Sequence, residues 1–419
     1  MGIVRGLPIK VRTGAFRVFG LDWIVPPKMA ILLSLNSFLD NKLKDFPYGN
    51  GLATSLIEAE KGHGQELALA NSEPTLLEAL RRSSIITSSI ASCAIEQIYA
   101  PEFEKIALSD KPLGRELTRE ERELANYKSA LEFVYSLDPK RIRIEPDFIR
   151  RLHAYVRADA GDAGEYKGKD NQILEITEQG VRERFKPVSA RETPHFMDQL
   201  CLLYERAIQK EEAPALLCVS ALALDLTAIH PFSDGNGRVS RVLVSAAMIA
   251  AGYQLPKYVS LEEINDRRSH DYYRALELSS HHWHERKHDL GPFLRFQTGL
   301  FVQGYRELAI RRERSNEPFT VIFHERVPIP VREKVLKDFI VSYPKATMET
   351  TEEGVRDVYI KGSRTDLPEA EWEKFNHPER LARHLLNAIK FERPPEKSNG
   401  IPDSGHGGGG YGGGAMGGR

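Results

Sequence analysis

Two strongly apolar stretches, residues 213–229 and 242–251, dominate the hydrophobic pattern of the chain. Ser220 and Asp225 interrupt the first. The second is too short to cross a hydrocarbon core of about 30 Å, so both predict buried helices and no membrane span. Upstream, Ile86, Ile90, Ala94 and Ile98 recur at helical spacing. Thr118 and Glu121 form a capping box ahead of a run to Leu137, and Pro146 opens a helix through Val156. The period shortens at 172–186, where two strand-like runs flank the turn residues Glu178-Gln179-Gly180 and predict a β-hairpin inside a helical domain. Residues 1–70 are ambiguous: 29–43 fit a helix, while Asn50-Gly51 and Gly62-His63-Gly64 read as loop signals.

Beyond residue 312 the pattern changes again. Phe319–His324 and Asp357–Ile360 predict strands, 331–341 and 378–390 predict helices, and Asn316 and Pro318 mark a boundary before them. Residues 398–419 hold 11 Gly and almost nothing apolar, so no burial offsets the entropy of ordering them. The expected organisation is an N-terminal segment (1–70), a first helical region (71–105), a helical core (106–312), a small α/β domain (315–395) and a disordered tail (396–419).

With 419 residues the chain suffices for two or three domains. Lys and Arg total 58 against 59 for Asp and Glu, which leaves no general basic field for nucleic acid or anionic lipid. Cys93, Cys201 and Cys218 are too few for a disulfide framework or a four-cysteine zinc site. No secretory core follows Met1, and Gly6 stands where a myristoylation signal needs Ser or Thr, so a reducing, cytoplasmic setting is expected.

Chemically informative residues concentrate between the two apolar helices, in His230-Pro-Phe-Ser-Asp-Gly-Asn-Gly-Arg-Val-Ser-Arg241. The first helix delivers His230 at its C-terminal end, and a second helix begins at about Gly237. A helix N-terminus offers unpaired N–H groups and partial positive charge, and Gly235-Asn236-Gly237 lets an anion approach them. Arg238 and Arg241, three apart, share a helix face and both reach toward outer phosphates. Asp234 is the loop's single carboxylate, a suitable partner for Mg²⁺ or Mn²⁺ alongside phosphate oxygens and water. His230, with an ordinary pKa of about 6.5, suits a general base. Taken singly, each has a bland explanation as a cap, a turn or a solvated face.

This stretch resembles the Fic-domain motif, His-x-Phe-x-Asp/Glu-Gly-Asn-Gly-Arg-x-x-Arg, with every specified position filled. Similar to that family too are Gly164-Glu165-Tyr166-Lys167 before the hairpin, Asn171-Gln172-Ile173, Asp271-Tyr272-Tyr273-Arg274-Ala275-Leu276, and Trp283 before Pro292-Phe293-Leu294. The resemblance spans roughly residues 75–300. It implies a mainly α fold: a Fic-type helical core with a β-hairpin flap, followed here by the small C-terminal α/β domain, for which a winged-helix arrangement is one option.

The activity so implied is AMP transfer from ATP to a Ser, Thr or Tyr hydroxyl of a protein. His230 is then the base, Phe232 the buried anchor, Asp234 the metal ligand, and Gly235 to Gly237 with Arg238 and Arg241 the phosphate cradle. The hairpin aligns the target protein as an added strand. Asn171, Gln172 and Ile173 are expected to contact nucleotide or target, with Gln172 replacing the family's aromatic or apolar residue. Tyr272 or Tyr273 offers an adenine wall, and Ser280 replaces a frequent Asn. Ser92 and Glu96 resemble the family's inhibitory motif Ser/Thr-x-x-x-Glu, with Gln97 where Gly or Asn is usual. In that scheme Glu96 pairs with Arg241 and blocks outer-phosphate seating, and Glu96 orienting a water would give AMP removal.

Two rivals remain. One is transfer of UMP, phosphate or phosphocholine on the same scaffold; the other is a nucleotide-sensing regulator that contacts DNA through its C-terminal domain. A homodimer is expected from the resemblance.

Overall fold

The computed structural model describes residues 16–18, 21–23, 37–38, 42–100, 106, 116–177, 180–315, 319–324, 346–351, 358–360 and 363–365. The expected helices at 29–43, 331–341 and 378–390 and the glycine-rich tail lie wholly or mostly outside them. Contacts divide the chain into two units. The first holds residues 1–318 and 336–347, and the second the remainder.

The first unit opens with a short antiparallel ribbon, β1 (Phe16–Val18) and β2 (Leu21–Trp23). Helices follow: α1 (Asn50–Ser72), α2 (Pro74–Ile95), α3 (Arg119–Ser136) and α4 (Pro146–Val156). The capping box at Thr118 forms fully, since its side chain accepts from the Glu121 amide while the Glu121 carboxylate accepts from the Thr118 amide.

After the hairpin come α5 (Thr193–Gln209), α6 (Ala215–Ile229) and α7 (Asn236–Ala250). Three short helices lead on: α8 (Leu255–Tyr258), α9 (Leu261–Arg267) and α10 (Ser269–Ser280). Among the described residues the unit's last helix is α11 (Gly291–Ser315).

The glycines at 50–51 and 62–64 do not make loops, and α1 runs straight through them. A Cβ at Gly62 would collide with the Tyr305 ring of α11, so glycine serves close helix packing there and its local propensity is overridden.

Two helices are buried nearly all round. Buried α6 residues run almost unbroken from Leu216 to Ile229, and those of α7 from Val239 to Ile249. Such helices stay in place only inside a core. The polar interruptions of α6 are paired internally. Ser220 Oγ donates to the Leu216 carbonyl at 2.7 Å, and Asp225 accepts from the Ser37 amide, the Ser37 hydroxyl and the Trp283 indole at 2.7–2.8 Å. Burial pushes the Asp225 carboxyl up to about 7 in spite of these donors.

The hairpin consists of β3 (Ile173–Thr177) and β4 (Gly180–Phe185), antiparallel with a register shift at Ile173/Leu174. Gly180, expected in the turn, is the first residue of β4. Beyond residue 318 the described strands are β5 (Phe319–His324), β6 (Ala346–Thr351), β7 (Val358–Ile360) and β8 (Ser363–Thr365), in the order β6-β5-β7-β8, with β5/β7 and β7/β8 antiparallel. Among the described residues no helix is long and apolar enough to cross a membrane.

Candidate active site

The loop between α6 and α7 is anchored from beneath. Phe232 is fully buried, and the His153 ring of α4 stacks flat on it at 3.9 Å with an interplanar angle of 3°. The Asn236 side chain closes the bend, accepting from the Phe232 amide at 2.9 Å and donating to its carbonyl at 2.8 Å. Asn171 Nδ2 donates to the same carbonyl at 3.0 Å. Lys167 Nζ reaches Asn171 Oδ1 at 2.8 Å and the Ile229 carbonyl at 3.2 Å. Asn171 and Asn236, both expected near nucleotide, thus direct their side chains at the loop backbone.

Two residues of the loop have left-handed backbones. His230 caps α6 with φ 52°, and Gly235 precedes α7 with φ 79°. A non-glycine residue at positive φ is costly, and its persistence here reflects how fully the surroundings fix the bend. His230 Nδ1 lies 3.3 Å from the Thr227 carbonyl, which favours the tautomer carrying its proton on Nδ1 and leaves a lone pair on Nε2. Burial above all, with the Lys167 cation adding to it, drops the imidazole pKa to about 4 despite the carbonyl contact and the charges of Glu96 and Asp234. The ring is therefore neutral at pH 7.

Three arginines converge, each matched to a carboxylate. Arg241 Nη2 meets Glu96 Oε1 at 2.8 Å and the Ser92 carbonyl at 3.0 Å, while its Nε donates to Ser92 Oγ at 2.9 Å. Burial lowers the Arg241 pKa, but the charge and hydrogen bond of Glu96, with Tyr127 and Tyr272 adding to them, together outweigh this and the net shift is upward. Arg238 Nη1 lies 2.7 Å from Glu123 Oε2, with Nη2 3.8 Å from Asp234 Oδ1. Arg157 Nη1 lies 2.7 Å from Asp234 Oδ2. Arg238 and Arg241 do share one face of α7. Sequence reasoning missed Arg157, Glu123 and His153 because their partners lie far along the chain, and it named Lys167 only within the Gly164–Lys167 segment, without a role. Of these, only Glu123 carries a local signal, as an acid in the opening turns of a capped helix.

Glu96 reaches the site from the end of α2. That end is a Schellman turn: the Ile98 amide donates to the Cys93 carbonyl at 3.0 Å and the Gln97 amide to the Ala94 carbonyl at 2.9 Å. Gln97 occupies the left-handed position, φ 58°, where Gly or Asn is easier. This explains physically what the departure at 97 costs. A Cβ on Gly237 would run into Glu96 Oε1, so the carboxylate lies directly against the glycine at the start of α7. An anion at a helix N-terminus is favoured there by the dipole.

A cleft of about 480 Å³ opens beside these groups, lined among others by Glu96, Tyr99, Arg119, Asp234 and Arg238. Asp234 is 47% exposed in it. Among the described residues no three His, Cys, Asp or Glu side chains are grouped to hold a metal by themselves. The donor set suits a cation that keeps most of its other ligands from phosphate and water, as Mg²⁺ does.

The remaining expected contacts are more dispersed. Gln172 is exposed, and Tyr272 is buried against Phe293 and Phe296. Tyr273 is 37% exposed, with the Arg184 guanidinium 5.4 Å from its ring centre. Ser280 Oγ donates to the Glu277 carbonyl at the end of α10.

Residues 143–248 match the model of the Fic/DOC family. The protein adenylyltransferase Fic of Nematostella vectensis is 29% identical over 180 residues, 42% of this chain and 37% of that protein. Its namesake in Drosophila ananassae is 24% identical over 307 residues, 65% of this chain and 57% of that one. The chain thus spans 37% and 57% of these two curated relatives.

Among solved structures, a Fic family protein from Desulfovibrio desulfuricans G20 is similar with a TM-score of 0.54 at 21% identity, covering 71% of this chain and 85% of that one. A Fic domain containing signaling protein from Bacteroides thetaiotaomicron VPI-5482 gives 0.52 at 20%, covering 62% and 99%. These likenesses establish the helical fold.

Proposed function

We propose, from the match of residues 143–248 to the Fic/DOC family model, that this chain is a protein adenylyltransferase restrained by its own Glu96. The observation that carries the reading is the Glu96 carboxylate, paired with Arg241 at 2.8 Å and pressed against Gly237. It stands where the cradle's geometry would seat a phosphate oxygen. Withdrawal of Glu96 frees Arg241 for the outer phosphates of ATP.

In the transfer step the target hydroxyl oxygen attacks the α-phosphorus, the bond to pyrophosphate breaks, and the hydroxyl proton passes to His230 Nε2. The neutral ring and the Nδ1 contact with Thr227 prepare that acceptor. The remaining requirement is positioning and charge stabilisation. The α7 amides and Arg241 supply it, while Arg238, tied to Glu123, steadies Asp234. Asp234 would hold Mg²⁺ or Mn²⁺, which when bound offsets charge on the phosphates. The exposed hairpin edge is the place for a target segment.

Labelled ATP with Mg²⁺ and intact-mass measurement test this. Glu96→Gly should acquire or pass on AMP far faster than the wild type, and adding His230→Ala should cut that by about 10²- to 10⁴-fold. A Glu96→Gly protein that binds ATP normally yet transfers nothing would defeat the proposal. Competition by labelled UTP and CDP-choline separates AMP transfer from its rivals.

A further inference from the structure

The hairpin and the end of α2 meet on a single residue, Tyr273 of α10. Its hydroxyl donates to the Ile95 carbonyl at 3.2 Å. Ile95 is the last helical residue of α2, and its neighbour Glu96 carries the carboxylate that holds Arg241. The Schellman turn uses the carbonyls of Cys93 and Ala94, so the Tyr273 hydroxyl completes the cap from another helix. On the other side, Arg184 of β4 lays its guanidinium over the Tyr273 ring, 5.4 Å from the centroid, and donates from Nη2 to the Tyr273 carbonyl at 3.2 Å.

Just beyond β4 the hairpin is held again. His284 stacks on Phe185 at 5.4 Å and its Nε2 lies 2.7 Å from the Lys186 carbonyl. Those contacts fix the base of β4 whatever α2 does. The Arg184 bond to the Tyr273 carbonyl is fixed in the same way, but its contact with the ring differs, because that ring is steered by a hydroxyl anchored on the end of α2. Tyr272, the adjacent residue, is buried in the core, so the α10 backbone stays put while the Tyr273 side chain is the element free to respond.

We infer that Tyr273 and Arg184 are positioning residues that couple the Glu96 turn to the hairpin, so that the contact restraining phosphate seating also sets the order of the target-aligning edge. The inference rests on the proposed roles of Glu96 and the hairpin. When Glu96 leaves Arg241, the turn at 96–98 must rearrange, the Ile95 carbonyl shifts, and the ring under Arg184 loses its tether. Phosphate seating and target docking then change together.

Hydrogen exchange of the full chain without nucleotide tests the coupling, comparing wild type, Glu96→Gly, Tyr273→Phe, the double variant of these two, and Arg184→Met with and without Glu96→Gly. Tyr273→Phe keeps the ring and deletes only the tether. It should speed exchange in residues 173–185 by about three- to tenfold, and Glu96→Gly should do the same. The double variant should exchange no faster than the faster single one. Arg184→Met should make the hairpin insensitive to Glu96→Gly. An unchanged hairpin in Glu96→Gly, or effects that multiply in the double variant, would overturn the inference. If Tyr273→Phe lowers the melting temperature sharply, Arg184→Met alone decides, by whether the Glu96→Gly response persists. No nucleotide enters the measurement, so a negative result leaves the separate AMP-transfer assay to judge the enzymatic reading.

Discussion

The two helix ends that face each other across Arg241 are built in opposite ways. The bend from His230 to Gly237 is gripped by side chains from several elements: the His153 ring under Phe232, Asn171 and Lys167 on the carbonyls, and Asn236 across its base. The end of α2 is held by Ser92 and Glu96 on one guanidinium and by the Tyr273 hydroxyl, with a glutamine at a backbone angle that suits glycine. Both ends contain left-handed residues, yet only the first is over-determined. A site for chemistry needs the fixed geometry of the first. A removable restraint needs the second, in which a few contacts of modest strength hold one state against another.

The sharpest way to break this contrast is Phe232→Ala. Loss of a fully buried ring together with its stacked partner should destabilise the fold by about 3–5 kcal/mol, read by urea denaturation. A cost as small as that of a change in the α2 end would mean that the bend is not locked after all. Acid should loosen the same bend next. His230 takes its proton at about pH 4 in the folded chain and near 6.5 when unfolded, so the unfolded state binds more protons between those values. Its share of stability is present above about pH 6.5 and is lost as pH falls toward 4. Melting temperatures across that window should fall less steeply in His230→Ala.

Ser92→Ala, which removes the Arg241 Nε acceptor from the α2 end, should cost only about 1 kcal/mol. The smallest effect is expected from Gln97→Gly, a gain of about 0.5–1 kcal/mol because glycine accepts the left-handed turn without strain. If the gain is absent, the turn at 97 is not the weak point proposed for this end.

Much of the contrast is foreshadowed in the sequence. Thr118 and Glu121 announce the cap that forms, and the long apolar runs of α6 and α7 announce burial. Ser92 and Glu96, four apart, announce one helix face. The glycines at 62 and 64 mislead, since α1 runs through both, and Gly62 is there to let the Tyr305 ring of α11 pack close. Glu123 with Arg238 and Arg157 with Asp234 are equally hidden, since nothing local marks a partner that many residues and several helices separate.

The sequence by itself determined the helical character of the core, the bend between two buried helices and the chemical types gathered in it, because periodicity, capping and glycine placement act over a few residues. Only the tertiary structure decided which carboxylate meets which arginine, what lies beneath Phe232, and that one tyrosine touches both the end of α2 and the hairpin. Those outcomes depend on how whole helices pack, and packing is settled by shape and burial summed over the entire core.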